Sequence, residues 1–337
     1  MKGQLKIKIL TVALLIIGCN SNRLEVDVSQ IDLGIKIERF EQELFETHPD
    51  SLHIANLKFH KKYGNLYSNY VENVLGIGLV SDPVLGYNLK SFVSDKYMKQ
   101  LYEDCRQKIP EMSIFEEELT DAFKHYRYYF PQKTVPQITT YISGLQYKIV
   151  VTEKHLGIGI DMYLGSDYEN YRKSGLPMYL ISGMESKYLV ADAMKSWVST
   201  EIEDTIKNQT LLGAMVHQGK IMYLLDAMLP QMADSLKMGY TAQQTEWCEQ
   251  NEFQIWAAMV DKKLLYTTAG KTINKFFNDG PFTSGFPKES PARTGAWLGW
   301  QIVRSFMKEN TSVSVQDLMK MNKAQVILSK SGYKPAK

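Results

Sequence analysis

Residues 211–230 read LLGAMVHQGKIMYLLDAMLP. Leu211, Met215, Met222, Leu225 and Leu229 recur at helical spacing, and Gln218 falls inside that stripe. Leu212, Val216 and Tyr223 lie beside it, while Ile221, Leu224 and Met228 fill another side. A helix apolar nearly all round has no solvent face, so 210–229 is predicted as a central buried helix that Pro230 ends. Gln218, Lys220 and Asp226 interrupt it. A polar group taken out of water costs free energy unless paired, so each needs a partner, a water or an opening. Lys220 can snorkel outward and Asp226 can bond a neighbouring segment; alternatively, these residues line a ligand site.

Upstream, Val190, Met194, Trp197, Val198, Ile202 and Ile206 form one apolar stripe over 189–207, with Asp192, Lys195 and Glu203 away from it. The middle of the chain changes character. Val135–Gly144, Tyr147–Thr152 and Gly157–Leu164 are β-branched and aromatic runs separated by turn residues, which predicts three strands, the last two a hairpin around Glu153–Leu156. Leu33–Phe40 alternates as a further strand. Residues 41–129 are helical in pattern, broken at Pro49, Gly64, Pro83 and Pro110, and 114–130 runs until Pro131 stops it. The fold class is therefore α+β, predominantly helical, with a small sheet in the middle. Residues 31–333 are expected to form a single compact body, because no linker separates the helical part 41–130 from the strands after Pro131.

Downstream, residues 289–304 read ESPARTGAWLGWQIVR. Ser290 as N-cap and Pro291 at the first helical position predict a helix start. Gly295 and Gly299 each cost about 1 kcal/mol in a helix interior, which implies a packing reason: close approach of another backbone. Trp297 and Trp300, three apart, either wall a cleft or fill the core. Arg293 in the first turn opposes the helix dipole, so it needs a carboxylate partner, internal or from a ligand.

The 337 residues are 44% apolar and 23% charged, figures that exclude a long disordered tail or a collagen-like repeat. Net charge is +2, and Lys2, Lys6 and Lys8 supply three positive charges at the start, so the rest is near neutral. A near-neutral body gives no electrostatic reason to expect nucleic acid as a partner. After the basic start, the apolar run Ile9–Ile17 is far short of the ~20 residues of a spanning helix but fits a signal-peptide core. With Leu15-Ile16-Ile17-Gly18-Cys19 it reads as a bacterial lipoprotein signal: cleavage after residue 18 leaves Cys19 as a lipidated first residue, and 19–30 form a polar tether. Cys105 and Cys248 then remain, too few for a disulfide framework.

Familiar catalytic signatures fail. There is no His-Glu-x-x-His; His217, inside MVHQGKIMY, stands without a following Glu or a second His. Gly270-Lys271-Thr272 is not a phosphate loop, since Leu265 occupies the required glycine position. His48, His53 and His60 do not share a helical face. No metal and no cofactor are expected from these patterns.

Ile35–Phe40 (IKIERF), Leu164–Tyr168 (LGSDY), Leu211–Pro230 and Ser290–Met307 (SPARTGAWLGWQIVRSFM) resemble the gliding-motility lipoprotein family GldB, and with the lipoprotein signal they span nearly the whole chain. That resemblance implies a lipid-anchored envelope component of a gliding apparatus associated with type IX secretion, with other machinery proteins as partners and the body facing the periplasm. The order of elements over 135–310 is also similar to predicted zinc peptidases of gluzincin type. In those, one helix carries His-Glu-x-x-His and the next a Glu ligand before a Gly. Here the corresponding residues are Trp197-Val198-Ser199-Thr200-Glu201 and Gln218 before Gly219. The similarity therefore implies a degenerate zincin-like scaffold whose metal site is lost, since a neutral amide is a poor zinc ligand. On this reading the protein is not an enzyme, and Gln218, Lys220, Asp226, Arg293, Trp297 and Trp300 line a cleft for a peptide or partner loop. The alternatives are a metal-dependent peptidase or hydrolase with atypical ligands such as His217 and Asp226, and an envelope ligand-binding lipoprotein.

Overall fold

The computed structural model describes residues 22–202 and 210–336. The leader, Cys19, and the Glu203 and Ile206 positions of the expected 189–207 helix lie outside the described residues.

The chain opens with strand β1 (Ile37–Arg39) and helices α1 (Phe40–Glu46), α2 (Leu52–Asn69), α3 (Leu85–Ser94), α4 (Lys96–Lys108) and α5 (Ser113–Tyr129). Strands β2 (Gln137–Tyr141), β3 (Ile149–Val151) and β4 (His155–Gly159) come next, then the short α6 (Glu169–Lys173) and α7 (Met178–Ile181). Helices α8 (Leu189–Ser199) and α9 (Leu211–Met228) lead to α10 (Asp234–Met238), α11 (Ala242–Gln250), α12 (Glu252–Asp261) and α13 (Gly270–Asn274). The last are α14 (Thr294–Glu309), α15 (Val315–Lys320) and α16 (Ala324–Ser331). The expected α+β class, helix-dominated with a small central sheet, is what the structure has.

The sheet order is β1-β2-β4-β3, with β1, β2 and β4 parallel and β3 antiparallel to β4 as the expected hairpin. Parallel strands are stable when both faces are covered. On one face Ile138, Leu156 and Ile158 join the main core, which includes α8, α9 and α14. On the other, Tyr141 enters a second cluster with Phe40, Tyr67 and Tyr70 of the N-terminal helices. Gly157 and Gly159 make room there: a Cβ on Gly157 would stand 2.9 Å from the Tyr141 ring and 2.8 Å from Leu66. The third strand runs from His155 rather than Gly157 and ends at Gly159, where a 3₁₀ turn (Ile160–Met162) takes over. Asp161 in that turn is fully buried and accepts from the backbone N–H of Ser143 and of Leu145, the latter at φ 65°, so it holds the loop between β2 and β3.

Helix α9 is buried along almost its whole length, as its composition requires. Its partner is α14. A Cβ on Gly219 would lie 2.2 Å from the Gly299 carbonyl oxygen, and one on Gly299 would lie 1.9 Å from that of Met215. Gly299 thus serves the close approach expected of it, whereas Gly295 makes room for Phe276 and Phe277 instead.

Two further boundaries differ from expectation. Helix α14 starts at Thr294, not Pro291, because Arg293 adopts a left-handed conformation (φ 62°) and Thr283 ties the Pro291 carbonyl through its N–H (3.0 Å) and hydroxyl (2.7 Å). The tether expected over 19–30 is docked from Arg23 onward: Leu24 and Val28 are buried, and the Arg23 guanidinium donates to the carbonyls of Met307 (2.9 Å) and Val313 (2.7 Å).

The α9–α14 contact predicts that Gly299→Ala destabilises the protein by about 3 kcal/mol, the cost of overpacking, although alanine intrinsically favours a helix by about 1 kcal/mol. The urea unfolding midpoint reads the difference; a variant as stable as wild type contradicts the packing described.

Candidate functional site

The close approach at Gly219 and Gly299 carries α14 past α9 so that Trp300 and Arg304 reach Asp226. Trp300 Nε1 and Arg304 Nε donate to Asp226 Oδ2, both at 2.8 Å. Arg304 Nη2 and Lys237 Nζ donate to Oδ1, also at 2.8 Å. Arg304 reaches Asp234 as well, with Nη2 on Oδ1 at 2.8 Å, and its guanidinium lies 3.7 Å above the Trp300 ring. Burial works against the guanidinium's charge, yet hydrogen bonds and attraction from Asp234 and Asp226 carry its pKa upward. Asp226 and Lys237 are buried, and a cavity of about 560 Å³ opens beside the network, bounded also by Arg23, Tyr223 and Lys308. Two acids and two bases balance. With four donors on two oxygens, Asp226 keeps no acceptor position for a metal or a reacting proton.

The remaining candidates go elsewhere. Lys220 does not snorkel out: it is buried, and its ammonium donates to the carbonyls of Met319 (3.0 Å) and Met321 (2.9 Å) at the end of α15. Burial pushes its pKa down to about 8. Trp297 meets Trp300 edge to face at 5.8 Å and is buried, and its Nε1 has no partner among the described residues. Arg293 has the carboxylate expected of it, with Nε 3.3 Å from Asp279, and its guanidinium covers the Tyr240 ring at 5.4 Å. Gln218 is partly buried on α9 beside the Gly219 crossing. Asp226, Trp300 and Trp297 are thus brought together, while Lys220 and Arg293 serve other segments; the six do not line one cleft.

His217 lines a different cavity, of about 1040 Å³, between α9 and the α15–α16 region, together with Lys133, Glu201, Val216, Lys220 and Lys323. Nine residues separate His217 from Asp226 on one helix, about 14 Å of rise, so the two cannot hold the same ion. Among the described residues, no group of three or more His, Cys, Asp and Glu side chains is placed to hold a metal. Cys105 and Cys248 are free and buried.

Sequence reasoning missed Lys237, Asp234 and Arg304. Arg304 was within reach: with Trp300 four residues before it, it continues the face that meets Asp226. Lys195 lies away from the apolar stripe of α8 but is partly buried, and burial with the nearby Arg293 charge pushes its pKa down to about 8.

Fold and site together define a helix-rich α+β protein built around a buried ion network. A family model described as gliding motility protein GldB matches residues 21–335, nearly the whole chain, and the chain belongs to that family, as its motifs indicated. It is a gliding motility lipoprotein by that membership, and no helix among the described residues is long and apolar enough to cross a membrane. No curated protein and no solved structure matches the chain significantly.

The Lys220 contacts give a pH test. The folded chain sheds this proton near pH 8, before the unfolded chain, whose lysines titrate near 10.4. The unfolded state therefore holds more protons in that window, and stability rises with pH there. Urea unfolding of wild type and Lys220→Met should show their difference moving in favour of wild type between pH 8 and 10.5. A difference flat across that window would contradict a buried ammonium.

Proposed function

We propose that this protein is a non-enzymatic, lipid-anchored component of the gliding machinery, fixed to the envelope through Cys19 with its body toward the periplasm. It acts by contacts with other machinery proteins, in a system associated with type IX secretion. The observation that carries the non-enzymatic part is the saturation of Asp226: the acid set in the central helix, where chemistry is most expected, is consumed by Lys237, Arg304 and Trp300. The degenerate zincin-like relation belongs to the same proposal: the order of elements over 135–310 supports the scaffold, and the absence of imidazole from Trp197–Glu201 with Gln218 before Gly219 supports the loss of its metal site. Family membership over 21–335 supports the motility role.

In cells, Cys19→Ala should abolish colony spreading, whereas Gln218→Ala should spread like wild type at equal protein level. The purified protein should hold no stoichiometric metal. Loss of spreading in Gln218→Ala, or proteolysis that a chelator silences and zinc restores, would overturn the proposal.

A second reading, a ligand-binding lipoprotein, is favoured by the 1040 Å³ cavity. Its wall combines Leu212, Val216 and Met319 with Lys133, Lys220, Lys320 and Lys323 against Glu201. That lining fits an amphiphile with an apolar chain and an anionic head. Oleate should raise the melting temperature by several degrees where the matching alcohol does not, and Val216→Trp, which fills the cavity, should remove the effect. No saturable shift with oleate would exclude this reading.

A further inference from the structure

We propose that the face of the body around Arg23 lies against the lipid headgroup layer, with α1–α3 turned away from it. The inference rests on the Cys19 anchor proposed above and adds an orientation to it. It starts from where the docked chain begins. Arg23 is clamped to the Met307 and Val313 carbonyls, Leu24 is buried, and the Glu25 N–H donates to the Asn22 carbonyl (2.9 Å). Only residues 20–22 separate Cys19 from Arg23. Four Cα-to-Cα steps span at most about 14 Å. A body of roughly 300 residues is about 50 Å across, from a radius of gyration of about 19 Å. So short a leash fixes which side faces the bilayer.

Within reach of Arg23 are the C-terminal end of α14 with exposed Lys308, the following turn with exposed Thr311, and the last turn of α5. Tyr128 in that turn is half-exposed, an amphipathic ring suited to the headgroup region. Arg23 and Lys308 are offset by Glu25 and Asp27 close by on the chain, so the contact is set by the leash and needs no anionic lipid.

The opposite direction is also fixed. From Arg23 beside Tyr129, the chain runs back along α5 until the Ile35 N–H meets Thr120 Oγ1 and the Ile37 N–H meets Glu116 Oε1, both at 2.9 Å. Thirteen residues of helix separate those ends, about 20 Å. Beyond β1, helices α1–α3 form the second core on the far face of the sheet, where Leu57 of α2 is 66% exposed.

The test uses the full, lipid-modified chain in phosphatidylcholine vesicles containing doxyl-labelled lipid. Single cysteines Thr311→Cys and Leu57→Cys carry a bimane fluorophore; native Cys105 and Cys248 are buried. The Thr311 label should be quenched several-fold more than the Leu57 label. Inserting 20 Gly/Ser residues between Ser21 and Asn22 should shrink that difference while the protein still floats with the vesicles, because a flexible linker of that length spans about 25 Å. Equal quenching at both positions, stronger quenching at Leu57, or quenching unmoved by the insertion overturns the orientation while the anchor stands. Failure of the wild-type chain, processed by the cell and carrying no insertion, to float with the vesicles removes the anchor itself and the orientation with it.

Discussion

The absence of side chains at Gly219 and Gly299 sets the geometry of the molecule. Each glycine costs helix propensity, and Gly299 repays it by letting α14 lie against the backbone of α9. At that separation Trp300 and Arg304 reach a single carboxylate, and Lys237 of α10 closes on it from outside. With one methyl group between the helices, the Cβ would meet a carbonyl oxygen at about half the contact distance. Donors and acceptor would separate, and charges already out of water would be left unpaired, a cost of about 3–5 kcal/mol when one partner of a buried pair is lost. The packing and the network therefore stand or fall together.

An apolar cluster in place of Asp226, Arg304 and Lys237 would hold the helices at least as well, because desolvation offsets most of what a buried ion pair gains. It would lack the directional hydrogen bonds that the network adds to the glycine contact in fixing the rotation of α14. Only one rotation about its axis puts both Trp300 Nε1 and Arg304 Nε on the same oxygen, and that rotation also points Gly299 at Met215. The other polar residues of the two helices work outward in the same manner. Lys220 holds the end of α15, whose last carbonyls lack partners within the helix, and Arg293 holds Gly239 and Asp279. They are stitches to separate peripheral segments, which is why they share no cleft.

How much of this is legible in the sequence depends on whether the cause is local. The burial of 211–228 follows from its composition, the hairpin from turn residues between β-branched runs, and the demand of Arg293 for a carboxylate from the helix dipole. A close helix contact is legible in Gly299, but not its partner, because Gly219 is one glycine in an apolar run. Ser290 and Pro291 are a sound helix start by local rules. They fail because Thr283 captures the Pro291 carbonyl from outside the segment, and Arg293 then takes a conformation no helix contains. Lys220 misleads for a related reason: snorkelling is the default for a long cationic side chain, and only the returning chain at 319–321 supplies carbonyls inside. The network's Lys237 belongs to a five-residue helix with no periodicity to read.

The N-terminal segment joins this centre by the same chemistry. The last carbonyls of α14 lack partners within the helix and carry the negative end of its dipole, which suits a guanidinium. Arg23 takes the Met307 carbonyl there, one turn beyond Arg304. A load applied upstream of Asn22 is therefore met first by two charged hydrogen bonds and the burial of Leu24. It passes next into α14 and then, through the glycine contact, into α9, which is buried along almost its whole length. A loose polar linker would have spread that load over its own extension before the body felt it. A docked segment passes it to the α9–α14 pair, on whose close approach the ion network depends.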